Sequence, residues 1–367
     1  MKVLFCTNLP SPYRVDFFNV LGRCCDLTVC YERCRAFNRD AKWQAVQNRN
    51  FREVYLPLRP FGEESGLGGA MRRFIRDNTF DRIILSNYNS PACMEAIAYC
   101  RRKKIPYCME YDGGLFKRDK VSMRLLKQWL LKPAHTHYST CDGHIDYLKS
   151  LGIPPERIVK YPFSSLSEQD MAVNAPLSPE KKNELRQQLG ITEQMVVLAV
   201  GRFIQGKGFD VLMKSARHLS ASVGVYFVGG EPTEEYLRLQ EQYGLSNVHF
   251  VGFCEKQQLA QYYRAADVFV LPTRSDVWGL VINEAMSFGL PVITTDRCAA
   301  GLELIENGKN GYVVPVDNVQ VLADVLCGLC GDLSRMRKMG ESARRCIMPY
   351  TVEAMAAAHI KDFENYR

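Results

Sequence analysis

The sequence predicts an α/β protein made of two doubly wound domains, each with a parallel sheet between layers of helices. Short apolar runs alternate with helical patterns from the first residues to about residue 160, and the alternation resumes near residue 180. The chain has 367 residues, which is too long for one typical domain and suits two. Glycines and charged residues follow several of the apolar runs, where such sheets bind their ligands.

The first domain is predicted to span residues 1–165. Its strands are expected at residues 3–7, 27–31, 54–56, 82–86, 107–110, 136–139 and 158–161. Helical patterns cover residues 69–77, 91–103, 122–132 and 144–151. Between the first strand and a helix over 14–22 lies a turn with two prolines, residues 8–14.

The second domain is predicted to span residues 166–350. A stretch rich in Ser, Pro, Asn and Ala, residues 162–178, is interpreted as the linker that leads into it. A helix over residues 180–189 ends at Gly190, because glycine tolerates the backbone of a helix end. Strands are expected at residues 196–200, 223–228, 248–251, 268–271 and 292–294.

Composition narrows the class of protein. Hydrophobic residues make up 47% of the chain and charged residues 24%, as in ordinary globular proteins. Met1 and Lys2 lead directly into a predicted strand and no run of 18 apolar residues occurs, so neither a secretory signal nor a membrane-spanning helix is expected. The 14 cysteines form no regular framework, which indicates free thiols and a cytoplasmic location.

No metal site is expected. Cys327 and Cys330 have the C-x-x-C spacing, but no second pair completes a zinc site. His135 and His137 alternate on a predicted strand without a third ligand at suitable spacing, so both are interpreted as structural.

The segment from Arg101 to Lys132 is strongly basic, with ten Lys or Arg and three acidic residues in a chain of net charge +7. Such a segment suits anionic lipid, nucleic acid or phosphorylated substrates, and no nucleic-acid motif accompanies it. Its helix is predicted to carry an apolar and a basic side, and two interpretations stay open. In the favoured interpretation, the apolar side packs on its own domain. In the other, the apolar side lies on a membrane surface. The apolar side comprises Met123, Leu126, Trp129 and Leu130, and the basic side Arg124, Lys127, Gln128 and Lys132.

The stretch from residue 271 to 295 combines a buried strand, a polar loop and a helix. Asp276 precedes the helix, Gly279 begins it and Glu284 lies inside it. A helix N-terminus at the carboxyl end of a strand is suited to an anion, because its free N–H groups and its dipole favour negative charge. The two carboxylates are therefore expected to reach two parts of one elongated polar ligand.

A second candidate site follows the strand at residues 196–200. Gly201, Gly206 and Lys207 fit the P-loop pattern G-x-x-x-x-G-K, but Gly208 stands where a Ser or Thr would hold Mg²⁺. Alternatively, Arg202 and Lys207 hold a diphosphate without a metal, since two cations can stabilise a departing nucleoside diphosphate. The second interpretation is favoured.

Both stretches resemble the retaining glycosyltransferases of family 4. Gly201, Arg202, Lys207 and Gly208 match the family's G-R-x-x-x-x-K-G, and Asp276 to Ile293 match its E-G-F-G-L-x-x-x-E-A-M-x-x-G-x-P-V-I, with Asp, Val and Trp in place of the first Glu, Gly and Phe. The resemblance implies the GT-B fold: two Rossmann-like domains, the first for the acceptor and the second for the donor, with the active site in an interdomain cleft. It also implies that a C-terminal helix, residues 351–367, packs back on the first domain.

The same resemblance implies transfer of a hexosyl or N-acetylhexosaminyl group from a UDP- or GDP-sugar to a hydroxyl, with retention of configuration. Arg202 and Lys207 would hold the diphosphate, and Glu284 the ribose. The remaining implied site residues are Gly201 at the phosphate turn, Phe253 near the nucleobase, Asp276, Gly279, Leu280 and Val281 at the sugar and phosphates, and Glu110 and Asp112 on the acceptor side, one as a base.

The acceptor implied by the resemblance is a glycan or a polyprenyl-linked sugar in surface polysaccharide or glycoconjugate synthesis, met at the inner face of the cell membrane. No cofactor and no metal are implied. Two alternatives stay open: a sugar-nucleotide-binding protein of little or no catalytic activity, because Asp276 departs from Glu and the first loop lacks glycines, and a GT-B epimerase or phosphorylase. A phosphorylase would need a pyridoxal lysine, for which the sequence has no signal.

Overall fold

A computed structural model of the chain describes residues 1–32, 49–56, 59–61, 65–67, 69–86, 88–115 and 119–365. The chain divides into two compact units. The first comprises Met1–Ser167 and Tyr350–Arg367, and the second comprises Glu168–Pro349. The boundary after residue 167 lies two residues beyond the position expected from the sequence.

The first unit contains a parallel sheet of seven strands in the order β3-β2-β1-β6-β7-β8-β9. Every strand predicted from the sequence is present within one or two residues. A short antiparallel pair, β4 and β5, was not predicted. The strands are β1 Lys2–Thr7, β2 Asp26–Tyr31, β3 Arg52–Tyr55, β4 Arg59–Phe61, β5 Ser65–Leu67, β6 Arg82–Leu85, β7 Cys108–Glu110, β8 His137–Ser139 and β9 Ile158–Lys160.

In the part of the first unit that the structure describes, five helices connect these strands: α1 Pro12–Leu21, α2 Ala70–Asp77, α3 Pro91–Lys103, α4 Val121–Leu131 and α5 Asp142–Ser150. Local sequence explains their ends. Both α1 and α3 begin with a proline, whose fixed φ suits the first helical turn. The side chain of Ser90 caps α3 by accepting a hydrogen bond from the Cys93 N–H at 3.1 Å.

The helix α4 exposes most of its apolar side to solvent, whereas this side was expected to pack on the domain. Of the four apolar residues assigned to its packed side, Leu130 is buried, whereas Met123, Leu126 and Trp129 are exposed. The favoured interpretation, that this side packs on its own domain, is therefore wrong for these three. Lys117 and Arg118, which belong to the same basic segment, lie outside the described residues.

The second unit contains a parallel sheet of six strands in the order β12-β11-β10-β13-β14-β15. The strands are β10 Met195–Val200, β11 Val223–Val228, β12 Val248–Val251, β13 Val268–Leu271, β14 Val292–Thr295 and β15 Gly311–Val314. The sequence predicted the first five and missed β15. The middle strands are fully buried, as expected of a sheet covered by helices on both faces.

Nine helices surround this sheet: α6 Glu168–Val173, α7 Pro179–Gln188, α8 Phe209–Ala216, α9 Glu234–Tyr243, α10 Lys256–Ala265, α11 Leu280–Ser287, α12 Ala299–Leu304, α13 Val319–Cys330 and α14 Leu333–Ile347. The prediction of a plain linker over residues 162–178 is wrong where α6 forms. Arg344 of α14 donates hydrogen bonds to the carbonyl oxygens of Met171 and Asn174, each at 3.0 Å, and so holds this segment against the second unit.

The C-terminal helix, α15 Val352–Glu364, returns to the first unit and packs on α1. Thr351 caps it, and Asp362 accepts a hydrogen bond from the hydroxyl of Tyr138 at 2.6 Å. Tyr366 and Arg367, the last two residues expected in this helix, lie outside the described residues. Among the helices of the described chain, none is both long and apolar enough to cross a bilayer.

Two buried histidines should make stability depend on pH. Burial lowers the pKa of His137 and of His144 to about 3, from 6.5, so both are neutral in the folded protein. Because both pKa values are depressed, the folded state has their full contribution above pH 6.5 and loses it as pH falls toward 3. Between about pH 6.5 and 5, each should lower the free energy of unfolding by roughly 1–2 kcal/mol.

Chemical denaturation between these pH values measures the effect. His144→Gln should remove about half of the slope that His137 and His144 contribute together. The same change at the exposed His218 is the control and should leave the slope as it is. Equal slopes for His144→Gln and the unmutated chain would contradict the assignment.

Candidate functional site

The candidate residues of the second unit gather at the carboxyl ends of three neighbouring strands. The loop after β10 contains Gly201, Arg202 and Lys207, the loop after β13 contains Asp276, and Gly229 follows β11. These loops touch directly: a Cβ atom on Gly229 would lie 2.6 Å from the carbonyl oxygen of Gly201. The order β11-β10-β13 therefore brings together residues that are up to 75 positions apart in the sequence.

The turn after β10 requires glycine at residue 208. A 3-10 turn, Gln205–Lys207, ends at Gly208, which has φ +66°. A Cβ atom there would overlap the carbonyl oxygen of Pro272, so both the backbone angle and the space exclude a side chain. The position at which a P-loop places Ser or Thr can therefore take only glycine here, which argues against the P-loop interpretation.

The loop after β13 fixes this turn through Thr273 and Arg274. The hydroxyl of Thr273 and the N–H of Arg274 both donate to the carbonyl oxygen of Gly206, at 2.8 Å. The Arg274 guanidinium also donates to the carbonyl oxygen of Gln205 at 2.7 Å. It is held in turn by the carboxylates of Asp210, at 2.8 Å, and of Asp317, at 2.7 Å. Thr273 and Arg274 were expected only to lie in a polar loop, with no role in the site.

Lys207 and Asp276 form an ion pair, with Nζ and Oδ2 2.5 Å apart. The side chains are 21% and 17% exposed. Lys207 is therefore a partly buried, paired cation. Arg202 is exposed. The pair connects the two motifs, because one partner comes from each loop.

The side chains of Cys298, Trp278 and Asn283 fix the backbone around Gly279. Gly279 has φ +97°, and a Cβ atom on it would lie 2.7 Å from the Sγ of Cys298. The thiol of Cys298 donates to the carbonyl oxygen of Trp278 at 3.0 Å, and the indole of Trp278 donates to the side chain of Asn283 at 2.9 Å. Trp278, which replaces the phenylalanine of the family pattern, is thus a buried anchor for the N-terminus of α11.

The first turn of α11 offers backbone N–H groups at Leu280 and Val281, since the first N–H groups of a helix have no partner within it. Glu284, further along α11, is partly buried and accepts a hydrogen bond from the hydroxyl of Tyr263 at 3.0 Å. Burial and the charge of Glu284 raise the pKa of Tyr263, so the phenol keeps its proton and orients the carboxylate. Phe253, the candidate nucleobase contact, is 42% exposed.

In the first unit, Glu110 and Asp112 share one cation. The guanidinium of Arg14 lies 2.9 Å from Glu110 and also binds Asp112. Glu110 and Arg14 are buried, whereas the Asp112 side chain is 34% exposed. Burial favours the protonated form of Glu110, but Arg14 and His359 outweigh it and lower the pKa of Glu110 to about 2. Burial and the neighbouring Glu110 raise the pKa of Asp112.

Asp112 is therefore the carboxylate of the two that can meet a ligand, and Glu110 holds Arg14. Both acceptor roles stay predictions.

The Gly113 and Gly114 that follow have φ +117° and +123°, angles that residues other than glycine rarely adopt. In the described part of the chain, no group of three or more His, Cys, Asp or Glu side chains is arranged to hold a metal.

The chain is similar to known glycosyltransferases. Residues 181–346 match the family described as glycosyl transferases group 1. The chain is 31% identical over 191 residues to the D-inositol 3-phosphate glycosyltransferase of Xylanimonas cellulosilytica, covering 50% of this chain and 45% of that protein. It is 32% identical over 197 residues to a GDP-mannose-dependent alpha-(1-6)-phosphatidylinositol monomannoside mannosyltransferase of Mycobacterium tuberculosis, covering 50% and 51%. The chain thus spans about half the length of the curated relatives it matches.

Among solved structures, Alr3699/HepE from Anabaena in complex with UDP superposes with a TM-score of 0.80 at 18% identity, over 100% of both chains. This likeness confirms the predicted fold class, an α/β protein with two parallel Rossmann-like sheets of the GT-B type.

Proposed function

We propose that the protein is a glycosyltransferase that takes its sugar from a nucleotide-sugar, a UDP- or GDP-sugar. The observation that carries the proposal is the contact between the two loops of the second unit, which places Lys207 and Asp276 together beside the N-terminus of α11. The matched family and the names of the relatives support transfer of a sugar. The solved structure with UDP and the GDP-mannose-dependent relative support a nucleotide-sugar donor.

In this proposal the diphosphate of the donor binds between the turn after β10 and the first turn of α11. Arg202 and Lys207 neutralise the charge that grows on the departing nucleoside diphosphate, and the N–H groups of Leu280 and Val281 add to this stabilisation. Glu284, oriented by Tyr263, accepts hydrogen bonds from the ribose hydroxyls. Arg274 takes a positioning role, since it holds the turn that carries Lys207.

Asp276 then has two tasks: it orients Lys207 in the free protein and contacts the donor sugar together with the backbone at Gly279. We further propose that the anomeric configuration is retained and that the leaving phosphate takes the proton of the acceptor hydroxyl. A paired-carboxylate scheme of the glycosidase type is then not required. Asp112, the exposed carboxylate of the first unit, orients the acceptor.

The proposed acceptor is a glycan or a lipid-linked sugar of surface polysaccharide or glycoconjugate synthesis, used on the cytoplasmic side of the cell membrane. No disulfide joins the cysteines of the described residues, which suits a reducing compartment.

Changing Asp276 should separate an enzyme from a sugar-nucleotide-binding protein. Asp276→Glu keeps the carboxylate opposite Lys207, so turnover should stay within about a factor of ten. Asp276→Ala removes both the orientation of Lys207 and the contact with the sugar, so kcat should fall by about 100-fold or more with a smaller change in KM. Steady-state kinetics of both variants measure the difference. Equal turnover of Asp276→Ala and the unmutated chain would remove this residue from the mechanism.

The proposed function is tested by a thermal-shift screen against UDP-, GDP-, ADP- and CMP-sugars, followed by product analysis with the donor that stabilises most. A ligand that binds only the folded state raises the unfolding temperature, and at a given concentration the effect grows as Kd falls. Transfer is expected to persist in EDTA, because no D-x-D stands beside the donor loop and two cations already serve the diphosphate. Binding without transfer or hydrolysis for any acceptor pool would favour the binding-protein alternative, and altered free nucleotide-sugar would favour an epimerase.

A further inference from the structure

The helix α4 exposes a continuous apolar face. Val121, Leu125 and Trp129 follow one another at intervals of four residues and therefore share one side of the helix. Their exposed fractions are 76%, 60% and 49%, and Leu126 beside them is 41% exposed. These four residues are called the α4 face below. Large apolar side chains grouped in this way on a protein surface mark an interaction site more often than single ones do.

The polar side chains of α4 explain why its apolar residues point outward. Lys127 donates to the carboxylate of Asp119 and to the hydroxyl of Tyr147, each at 2.8 Å. Gln128 donates to the carbonyl oxygen of Leu151 at 3.1 Å, and Arg124 donates to that of Ser150. Hydrogen bonds thus attach the polar side of α4 to the rest of the first unit, with Leu130 and Leu131 buried beneath, and leave the α4 face uncovered.

A rim of positive charge surrounds the α4 face. The guanidinium of Arg101 lies 4.0 Å from the ring centre of Trp129 and donates to its carbonyl oxygen at 2.7 Å. This contact brings the basic end of α3, residues 101–104, beside the face. Lys120 and Lys132 are exposed at the two ends of α4. From residue 113 to 132 the one acidic residue is Asp119, which is paired with Lys127 and 10% exposed.

We propose that the α4 face docks onto an anionic lipid bilayer. The aliphatic side chains would enter the boundary between headgroups and acyl chains, Trp129 would lie at headgroup level, and the basic rim would contact the lipid phosphates. A second copy of the chain is a poorer occupant, because a symmetric contact would bring two basic rims together. The acidic Asp142 and Asp146 of the neighbouring α5 are paired with Lys160 and Lys149, and so leave the rim positive.

This inference does not rest on the proposed transfer reaction, and its failure would leave that reaction standing. If both hold, α4 would bring the first unit, with Asp112, to the surface at which a lipid-linked acceptor presents its hydroxyl. Arg124 and Lys127, which the sequence assigns to the basic side of the helix, are held by Ser150 and Asp119. The residues to change are therefore those of the α4 face and the exposed lysines at its ends.

Co-sedimentation of the full chain with vesicles tests the proposal. One vesicle is neutral phosphatidylcholine, and in the other about a third of the lipid is phosphatidylglycerol. The unmutated chain should pellet with the anionic vesicles at about 0.1 M salt and far less at about 0.5 M, because added salt screens the rim. The double variant Leu125→Ser with Trp129→Ser should lower the bound fraction at least about fivefold. The double variant Lys120→Gln with Lys132→Gln should weaken binding to the anionic vesicles and leave binding to the neutral vesicles unchanged.

The matched control is Leu302→Ser with Leu333→Ser, a change of two apolar residues that are 55% and 54% exposed on the second unit. It should bind as the unmutated chain does. All variants should keep their denaturation midpoints, since every substituted side chain is exposed. The proposal is overturned if the unmutated chain does not pellet with anionic vesicles at low salt, or if Leu125→Ser with Trp129→Ser pellets equally. A dimer in sedimentation velocity that this double variant abolishes, with no vesicle binding, would assign the face to a second copy instead.

Discussion

Replacing Lys207 with alanine should lower kcat by about 100- to 1,000-fold, a loss of about 3–4 kcal/mol of transition-state stabilisation. The ammonium group lies 2.5 Å from Asp276, at the edge of the sheet where the diphosphate is proposed to leave. In a partly buried site its charge is worth more than in bulk water, because the surrounding dielectric is lower. Folding should change little, because the Lys207 side chain is still 21% exposed and its partner Asp276 17%.

Steady-state kinetics with the best donor measure this effect. Lys256→Ala is the matched control, because Lys256 of α10 also pairs with an aspartate, Asp170 of α6, at 2.8 Å, and neither residue belongs to the loops after β10 and β13. It should leave kcat unchanged. Lys207→Arg should recover part of the loss, since the charge returns with a different shape. A kcat for Lys207→Ala within about threefold of the unmutated value would remove Lys207 from the mechanism.

Replacing Arg14 with leucine should lower the free energy of unfolding by about 3–5 kcal/mol. Arg14 is 2% exposed and neutralises Glu110, which has no exposed surface. Without the guanidinium, the nearest basic group to Glu110 is His359, with Nε2 at 3.4 Å. A buried carboxylate left without its ion pair is costly, because burial disfavours the charged form.

Equilibrium denaturation near neutral pH measures the change. Arg238→Leu breaks an exposed pair with Glu234, 2.8 Å long, and should cost under about 0.5 kcal/mol. The double variant Arg14→Leu with Glu110→Leu should be less destabilised than the sum of its single changes, since both charges leave together. A loss below about 1 kcal/mol for Arg14→Leu would show that the buried pair is not needed for stability.

The alternation of apolar runs was sufficient to predict both sheets, because a strand that is buried on both faces has few polar residues. β15 was missed since Gly311–Val314 is short, half-buried and directly follows a glycine turn. The helix α6 was missed for a different reason. Its sequence resembles a linker, and what holds it is Arg344, which lies about 170 residues further along the chain.

The orientation of α4 also could not be predicted from its local sequence. Helical periodicity separates an apolar from a basic side, but it does not say which side faces the domain. Here Asp119 and Tyr147 bind Lys127 strongly enough to place the basic side inward.

At the site, the two motifs placed Lys207 and Asp276 each after a strand, and the structure shows that these strands are neighbours and that the two side chains form an ion pair. Arg274 was missed because Gln205, Asp210 and Asp317, which it binds, lie 43 to 69 residues away in the sequence. A charged residue in a polar loop gives no sign of such contacts. The partly exposed Asp112 and the buried Glu110 likewise look alike in sequence and differ in the fold.

Transfer of a sugar from a nucleotide to a hydroxyl is tested most directly by mass spectrometry of the products. The unmutated chain and Lys207→Ala would be incubated with the nucleotide-sugar that stabilises the fold most and with a pool of glycan and lipid-linked acceptors. The expected result is equal amounts of nucleoside diphosphate and sugar-extended acceptor from the unmutated chain, and about 1% or less of that amount from Lys207→Ala in the same time. Intact donor and unextended acceptors from the unmutated chain, with every donor that binds, would contradict the proposed function.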